Sequence, residues 1–294
     1  MAVTTEMIKA LREETGAGVL DCKKALEVSG GDFDRAVAFL REKGLAAAAK
    51  KASRDARDGL ISLHVDGAGQ SGVILEVNCE TDFVARTEDF QAFVKALLDQ
   101  VRESPGVHDV PTLLEQPYAL DRSITVGQRL TNLVAKIGEN IMIARFARVQ
   151  RSGPGLVEGY LHPGSRIGVL LSVGVGSPDV AASAAFRELV HDLALQVAAA
   201  APRYVGPADI PADVLADQRN QFMAQVAGEN KPEAIKERIV TGKLEKWYEG
   251  VCLVRQAFVK DDSLRVGELV EQKSKQWNAP ITIERFVRYE LGAE

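Results

Sequence analysis

Three cysteines, four histidines and one glycine-rich run are the residues of this 294-residue chain whose types could do chemistry. Their spacing argues against most of it. Cys22, Cys79 and Cys252 lie far apart, which indicates neither a disulfide framework nor a zinc knuckle and fits a reducing compartment. Cys79 follows an apolar strand with no base identifiable beside it, so it reads as a packed thiol rather than a nucleophile. His64, His108, His162 and His191 lack the spacing of metal ligands, and no metal site is expected. Gly67-Ala-Gly-Gln-Ser-Gly72 fits the dinucleotide-binding pattern on paper. That motif needs its last glycine to open a helix whose N-terminal amides meet a pyrophosphate. Here Gly72 opens a strand, and the glycines read as a hairpin turn. Neither Gly-x-x-x-x-Gly-Lys-Ser/Thr nor Gly-x-Ser-x-Gly occurs. Bond-making catalysis and a cofactor are therefore not expected.

What remains suits recognition. The alternating strand Gly72–Asn78 runs through Cys79-Glu80 into Thr81-Asp82-Phe83-Val84, and the next clear helix starts near Thr87. Connections of this kind are normally built from Gly, Asn, Ser or Pro. A Phe-Val tip is either folded back into the core or held out for a partner.

The surrounding composition is that of an ordinary soluble protein, 46% hydrophobic and 26% charged, long enough for two or three compact units. A net charge of −5 leaves no nucleic-acid footprint. Met1-Ala-Val-Thr-Thr-Glu6 does not read as a signal peptide, and no run approaches the ~18 apolar residues of a membrane span. A cytoplasmic location is expected.

Residues 1–44 predict three short amphipathic helices making a small N-terminal domain. The first carries Met7, Ile8 and Leu11 and stops at Gly16-Ala-Gly18. The second spans Val19–Val28, and the third places Phe33, Ala36, Val37 and Leu40 on one face. Residues 45–58, alanine-rich and locally basic, read as a helical or flexible linker with a solvated charged face.

From Gly59 onward the chain is duplicated. Gly72–Asn78 matches Gly168–Gly174, and Phe90, Val94, Leu97 and Val101 match Phe186, Val190, Leu193 and Val197, all at a step of 96 residues. Val126-Gly127 matches Val266-Gly267 and Ile141–Arg148 matches Ile281–Arg288, now at a step of 140. Each copy reads as hairpin, helix, helix and returning strand, an α+β fold of antiparallel strands with helices on one face. Core repeat 1 covers 59–150 and core repeat 2 covers 151–294. The change of step places an insertion of 44 residues between Val197 and Val266. Ala212–Gln225 and Pro232–Tyr248 have helical spacing around the turn Gly228–Pro232, so a projecting helical hairpin at about 205–248 is expected. Its apolar seam is either self-packing or a partner surface.

The duplication is also an internal control. Thr81-Asp82-Phe83-Val84 is answered by Ser177-Pro178-Asp179-Val180 in a loop of equal length. Val84 has its counterpart in Val180 and belongs to the shared fold. Phe83 falls opposite Asp179, so the repeat does not need an aromatic there, and the partner reading is favoured for Phe83.

Leu11–Leu26, Asn78-Cys-Glu-Thr-Asp-Phe-Val-Ala-Arg86 and Gly164–Leu170 closely resemble the bacterial elongation factor Ts family, in the right order over nearly the whole chain. The resemblance implies a ubiquitin-associated-like N-terminal bundle, a duplicated α+β core and an inserted coiled-coil hairpin. It implies a guanine nucleotide exchange factor that binds elongation factor Tu, GDP-bound and nucleotide-free, with no role for nucleic acid or membrane. A homodimer within a larger complex stays open. In the family the segment matching Thr81, Asp82, Phe83 and Val84 disturbs the partner's magnesium site. Arg12, Val19 and Leu20 match its N-terminal contact surface, and His162 matches a hairpin-tip histidine that supports the partner's nucleotide domain. From the residues alone, Val19 and Leu20 could equally start a helix core, and His162 could be a solvated turn residue beside Pro163. Many members continue into a C-terminal helical module, whose contacts are not expected from residues 1–294. The alternatives are a protein-interaction module without exchange activity and, disfavoured by the glycine reading, a nucleotide-binding enzyme.

Overall fold

The computed structural model describes residues 3–293. Met1 and Ala2, which open the segment read as no signal peptide, and Glu294, which closes core repeat 2, lie outside them. Three helices come first: α1 (Thr5–Thr15), α2 (Val19–Val28) and α3 (Phe33–Lys51). Thr4 caps α1 and Asp32 caps α3, each side chain accepting the backbone N–H three residues on. Leu11, Cys22, Ala25, Leu26 and Ala36 form their thin, fully buried core.

The first core copy follows. Strands β1 (Asp58–Val65) and β2 (Ser71–Cys79) make an antiparallel hairpin. The glycine-rich run is its turn, where the Asp66 carboxylate accepts from Ser71 Oγ at 2.6 Å and from the Gln70 amide at 2.9 Å. Those bonds, the Ser71 hydroxyl first, hold its carboxyl below the usual carboxylate range. Next come α4 (Asp82–Ala85), α5 (Glu88–Glu103), α6 (Val110–Glu115), the short pair β3 (Pro117–Tyr118) and β4 (Asp121–Thr125), α7 (Val126–Ile137) and β5 (Ile141–Gln150). Strand β5 returns antiparallel beside β2, giving the order β1-β2-β5.

The second copy repeats this plan: β6 (Gly155–Leu161), β7 (Ile167–Val175), α8 (Pro178–Ala182) and α9 (Ala184–Ala200). After α9 come the two inserted helices α10 (Ala212–Ala227) and α11 (Glu233–Val251), packed on each other around Val226 and Val240. Then follow β8 (Ala257–Phe258), β9 (Asp261–Arg265), α12 (Val266–Gln276) and β10 (Ile281–Glu290), in the sheet order β10-β7-β6.

The two sheets pack face to face through Ile61, Ile74, Val149, Val157, Leu170 and Tyr289, with helices on both outer faces. Central strands β2 and β7 are thus covered on both sides, which explains their continuous apolar runs. The mixed helix and antiparallel-sheet architecture is α+β. No helix among the described residues is long and apolar enough to cross a membrane.

Backbone detail follows the duplication. Gly59 (φ +136°) and Gly155 (φ +148°) open β1 and β6 where an added Cβ would lie 2.1 Å from the Val77 oxygen and 2.3 Å from the Val173 oxygen. Strands β5 and β10 each carry an irregular register one residue before Arg145 and Arg285. Buried Gln100 bonds Pro117 O and Ala119 N, and buried Gln196 bonds Ala257 O and Val259 N. These two glutamines hold the tips of the short strand pairs, elements absent from the hairpin-helix-helix-strand expectation.

Of the two readings of the 45–58 segment, helical or flexible linker, residues 45–51 take the helical one and continue α3, where Ala48 packs on the first core and Lys51 Nζ reaches the Val134 carbonyl at 3.4 Å. The inserted helices also run further, to Ala227 and Val251.

Candidate partner-contact surface

Thr81–Val84 was expected as a loop and is instead a single helical turn. Thr81 is its N-cap, accepting from the Val84 amide at 3.4 Å, and Asp82–Ala85 form α4. Thr87 then caps α5 while its hydroxyl donates to the Val84 carbonyl at 2.8 Å. The geometry sorts the apolar pair: Val84 is 9% exposed and packs into the first core, whereas Phe83 is 80% exposed. Asp82 stays half-buried on the turn and pairs with Arg86 at 2.8 Å.

The base of the turn is fully bonded. Thr81 donates its amide to Glu139 Oε2 at 3.0 Å and its hydroxyl to Glu139 Oε1 at 2.7 Å. Its carbonyl accepts from Cys79 Sγ at 3.1 Å and from the Ala85 amide at 3.3 Å. One residue earlier, Glu80 Oε1 accepts from the Asn140 amide at 2.6 Å and lies 3.4 Å from Arg54. Bonds to a carboxylate are roughly twice as strong as neutral ones. Cys79 is fully buried, and burial, with Glu139 nearby, pushes its thiol up to about 12. It is therefore a neutral donor in this packing rather than a nucleophile.

The other candidates gather at the same end of the sandwich. Cys79 pairs with Asp58 at the start of β1, and Asp58 accepts from Arg166 at 2.7 Å. The Ser165 carbonyl accepts from the Ile61 amide at 2.9 Å. The β6–β7 turn with His162 thus sits beside the point where β2 delivers Thr81. His162 is exposed, its Nδ1 2.9 Å from the Tyr160 hydroxyl. Lys136, in the last turn of α7, touches the N-terminal helices at Gly16, where an added Cβ would lie 3.4 Å from its Cδ. The same lysine pairs with Asp89 at 2.7 Å, just after α4. Beyond Gly16 the exposed Val19 (49%) and Leu20 (81%) open α2, so neither is core, and Arg12 is exposed in the last turn of α1. Helix α9 ends at this end too: Arg288, paired with Val169 near the start of β7, donates to the Ala198 carbonyl at 3.3 Å. The inserted helices are rooted there, with Tyr204 bridged to Cys252.

Sequence reasoning missed Glu80, Lys136, Glu139 and Asn140, which build the mount rather than the tip. The signal was present in the duplication: Glu80 faces Gly176 at the step of 96, and Glu139 faces Ala279 and Asn140 faces Pro280 at the step of 140.

Comparison with known proteins decides the family. The family model described as Elongation factor TS matches residues 80–293. The chain belongs to the elongation factor Ts family. It is 44% identical over 290 residues to elongation factor Ts of Clostridium novyi (strain NT), covering 99% of this chain and 93% of that protein. Elongation factor Ts of Symbiobacterium thermophilum is 44% identical over 291 residues, covering 99% and 92%. That of Trichlorobacter lovleyi is 42% identical over 293 residues, covering 99% and 93%. Membership of the elongation factor Ts family gives the chain a role in translation elongation, within protein biosynthesis.

Proposed function

We propose that this chain is a guanine nucleotide exchange factor, which binds GDP-bound elongation factor Tu, disturbs its magnesium site and promotes GDP release without bond-making chemistry of its own. The observation that carries this reading is Phe83, four-fifths exposed on a turn whose base is bonded throughout, where the other copy has Asp179. Magnesium demands near-ideal octahedral geometry, so small displacements of its surroundings are costly. Phe83 wedges between helices of the partner's nucleotide-binding domain, and Asp82 helps set its position. Factor and nucleotide then weaken each other's binding, as linkage requires.

The magnitudes call for more than one contact. A thousandfold faster release needs about 4 kcal/mol off the barrier, and burying one Phe side chain contributes roughly 1.5–3 kcal/mol. The remainder comes from segments at the same end: Arg12, Val19 and Leu20 on a ubiquitin-associated-like bundle, and the His162 turn. The α10–α11 pair is a coiled-coil hairpin rooted at that end and adds reach. The chain works in the cytoplasm, needs no cofactor, and is divided at about residues 44, 58 and 150.

The test is release of a fluorescent GDP from elongation factor Tu. The chain at micromolar concentration accelerates release. Binding without acceleration would leave only an interaction module, and absence of both would end the reading.

A further inference from the structure

The inference concerns the mount of Phe83 and rests on the exchange reading above. Glu139 stands in the turn between α7 and β5, half-buried, and its two oxygens take the two donors of Thr81 at 3.0 and 2.7 Å. The next residue, Asn140, donates its amide to Glu80 at 2.6 Å and its side chain to the Arg54 carbonyl at 2.8 Å. Two consecutive residues of the Phe83 segment are therefore anchored to two consecutive residues of the α7–β5 turn.

The second copy keeps one of these two links, as a backbone bond from the Gly176 amide to the Pro280 carbonyl at 2.9 Å, and does without the link that Glu139 makes. There α8 forms with Ser177 as N-cap, its hydroxyl 3.4 Å from the Val180 amide, the same distance as in the first copy. Ser183 repeats Thr87, capping α9 and donating to the Val180 carbonyl. Yet Ala279, 3% exposed, occupies the place of Glu139, and Gly176 and Pro280 replace Glu80 and Asn140. The carboxylate clamp is confined to the copy that bears the exposed aromatic.

We propose that Glu139 is a positioning residue for exchange, which fixes the orientation of the α4 turn so that Phe83 meets the partner without yielding. When two bodies press on each other the softer deforms. Without Glu139 the turn keeps its cap, the Cys79 and Thr87 bonds and the buried Val84 but loses both carboxylate bonds to Thr81, so it would yield under load and the partner's magnesium site would stay in place. Ordering the turn in advance also removes an entropic cost from the encounter.

The test compares Glu139→Ala, Phe83→Ala and the double variant in GDP release from elongation factor Tu, with the full chain. Glu139→Ala installs a side chain that the second copy already tolerates at this place. Its maximal release rate should fall about fivefold to tenfold, with the half-saturating concentration within about twofold, because orientation rather than docking is lost. In the Phe83→Ala background the same change should cost less than about twofold, since both substitutions remove one device. Glu139→Gln, which keeps size and one acceptor oxygen, should fall between, and it serves in place of Glu139→Ala if that variant does not fold. Unchanged release by Glu139→Ala, with Phe83→Ala slow, overturns this inference and leaves the exchange reading intact. Effects that multiply in the double variant overturn it as well, because Glu139 would then act by another route. Unchanged release by Phe83→Ala overturns the Phe83 reading itself and this inference with it.

Discussion

Replacing Phe83 by alanine will slow GDP release from elongation factor Tu at least about tenfold and move the protein's melting point by no more than about 2 °C. Both halves follow from one fact. The side chain is 80% exposed, so its truncation opens no cavity and breaks no core contact. Surface substitutions of this kind stay within about 0.5 kcal/mol. On the partner, the lost burial of roughly 1.5–3 kcal/mol corresponds to about 10–150-fold in rate. A residual rate survives, because the bundle and the His162 turn still hold the partner. A large fall in melting point would instead make Phe83 part of the core.

The same substitution seven residues further along the chain gives the opposite result. Phe90 and its counterpart Phe186 are fully buried at the start of α5 and α9, each packed in the core of its own copy. Truncating either leaves a cavity that rigid sheets cannot close, a loss of about 3–5 kcal/mol. At about 2–4 °C per kcal/mol for a unit of this size, calorimetry should show a melting point lower by about 6–20 °C. The two variants should be similarly affected, because they remove the same residue from two copies of one design. Below the transition, the folded fraction of Phe90→Ala should still accelerate release, since α4 keeps its clamp from Glu139.

These outcomes mark what was legible in the chain. The duplication was readable because paired apolar positions survive at constant steps of 96 and 140 residues. The opposition of Phe83 to Asp179 was readable for the same reason. The one-turn helix α4 was not, because four residues with a single side-chain cap carry no periodicity. Past Gly44 the chain left helical and flexible readings open, because that glycine weakens a helix by about 1 kcal/mol, a cost offset by packing on the first core. Strands β3 and β8 were hidden because Gln100 and Gln196 fix them through hydrogen bonds from a distant helix. Glu139 lies 58 residues from Thr81, a pairing that only the closed sheet reveals.

On elongation factor Tu this chain and GDP weaken each other's binding. The most direct measurement is its affinity for that partner without nucleotide and with saturating GDP, by titration calorimetry at fixed magnesium. Binding to the nucleotide-free form should be tighter, by the same factor by which the chain weakens GDP binding. Equal affinities for the two forms would contradict it.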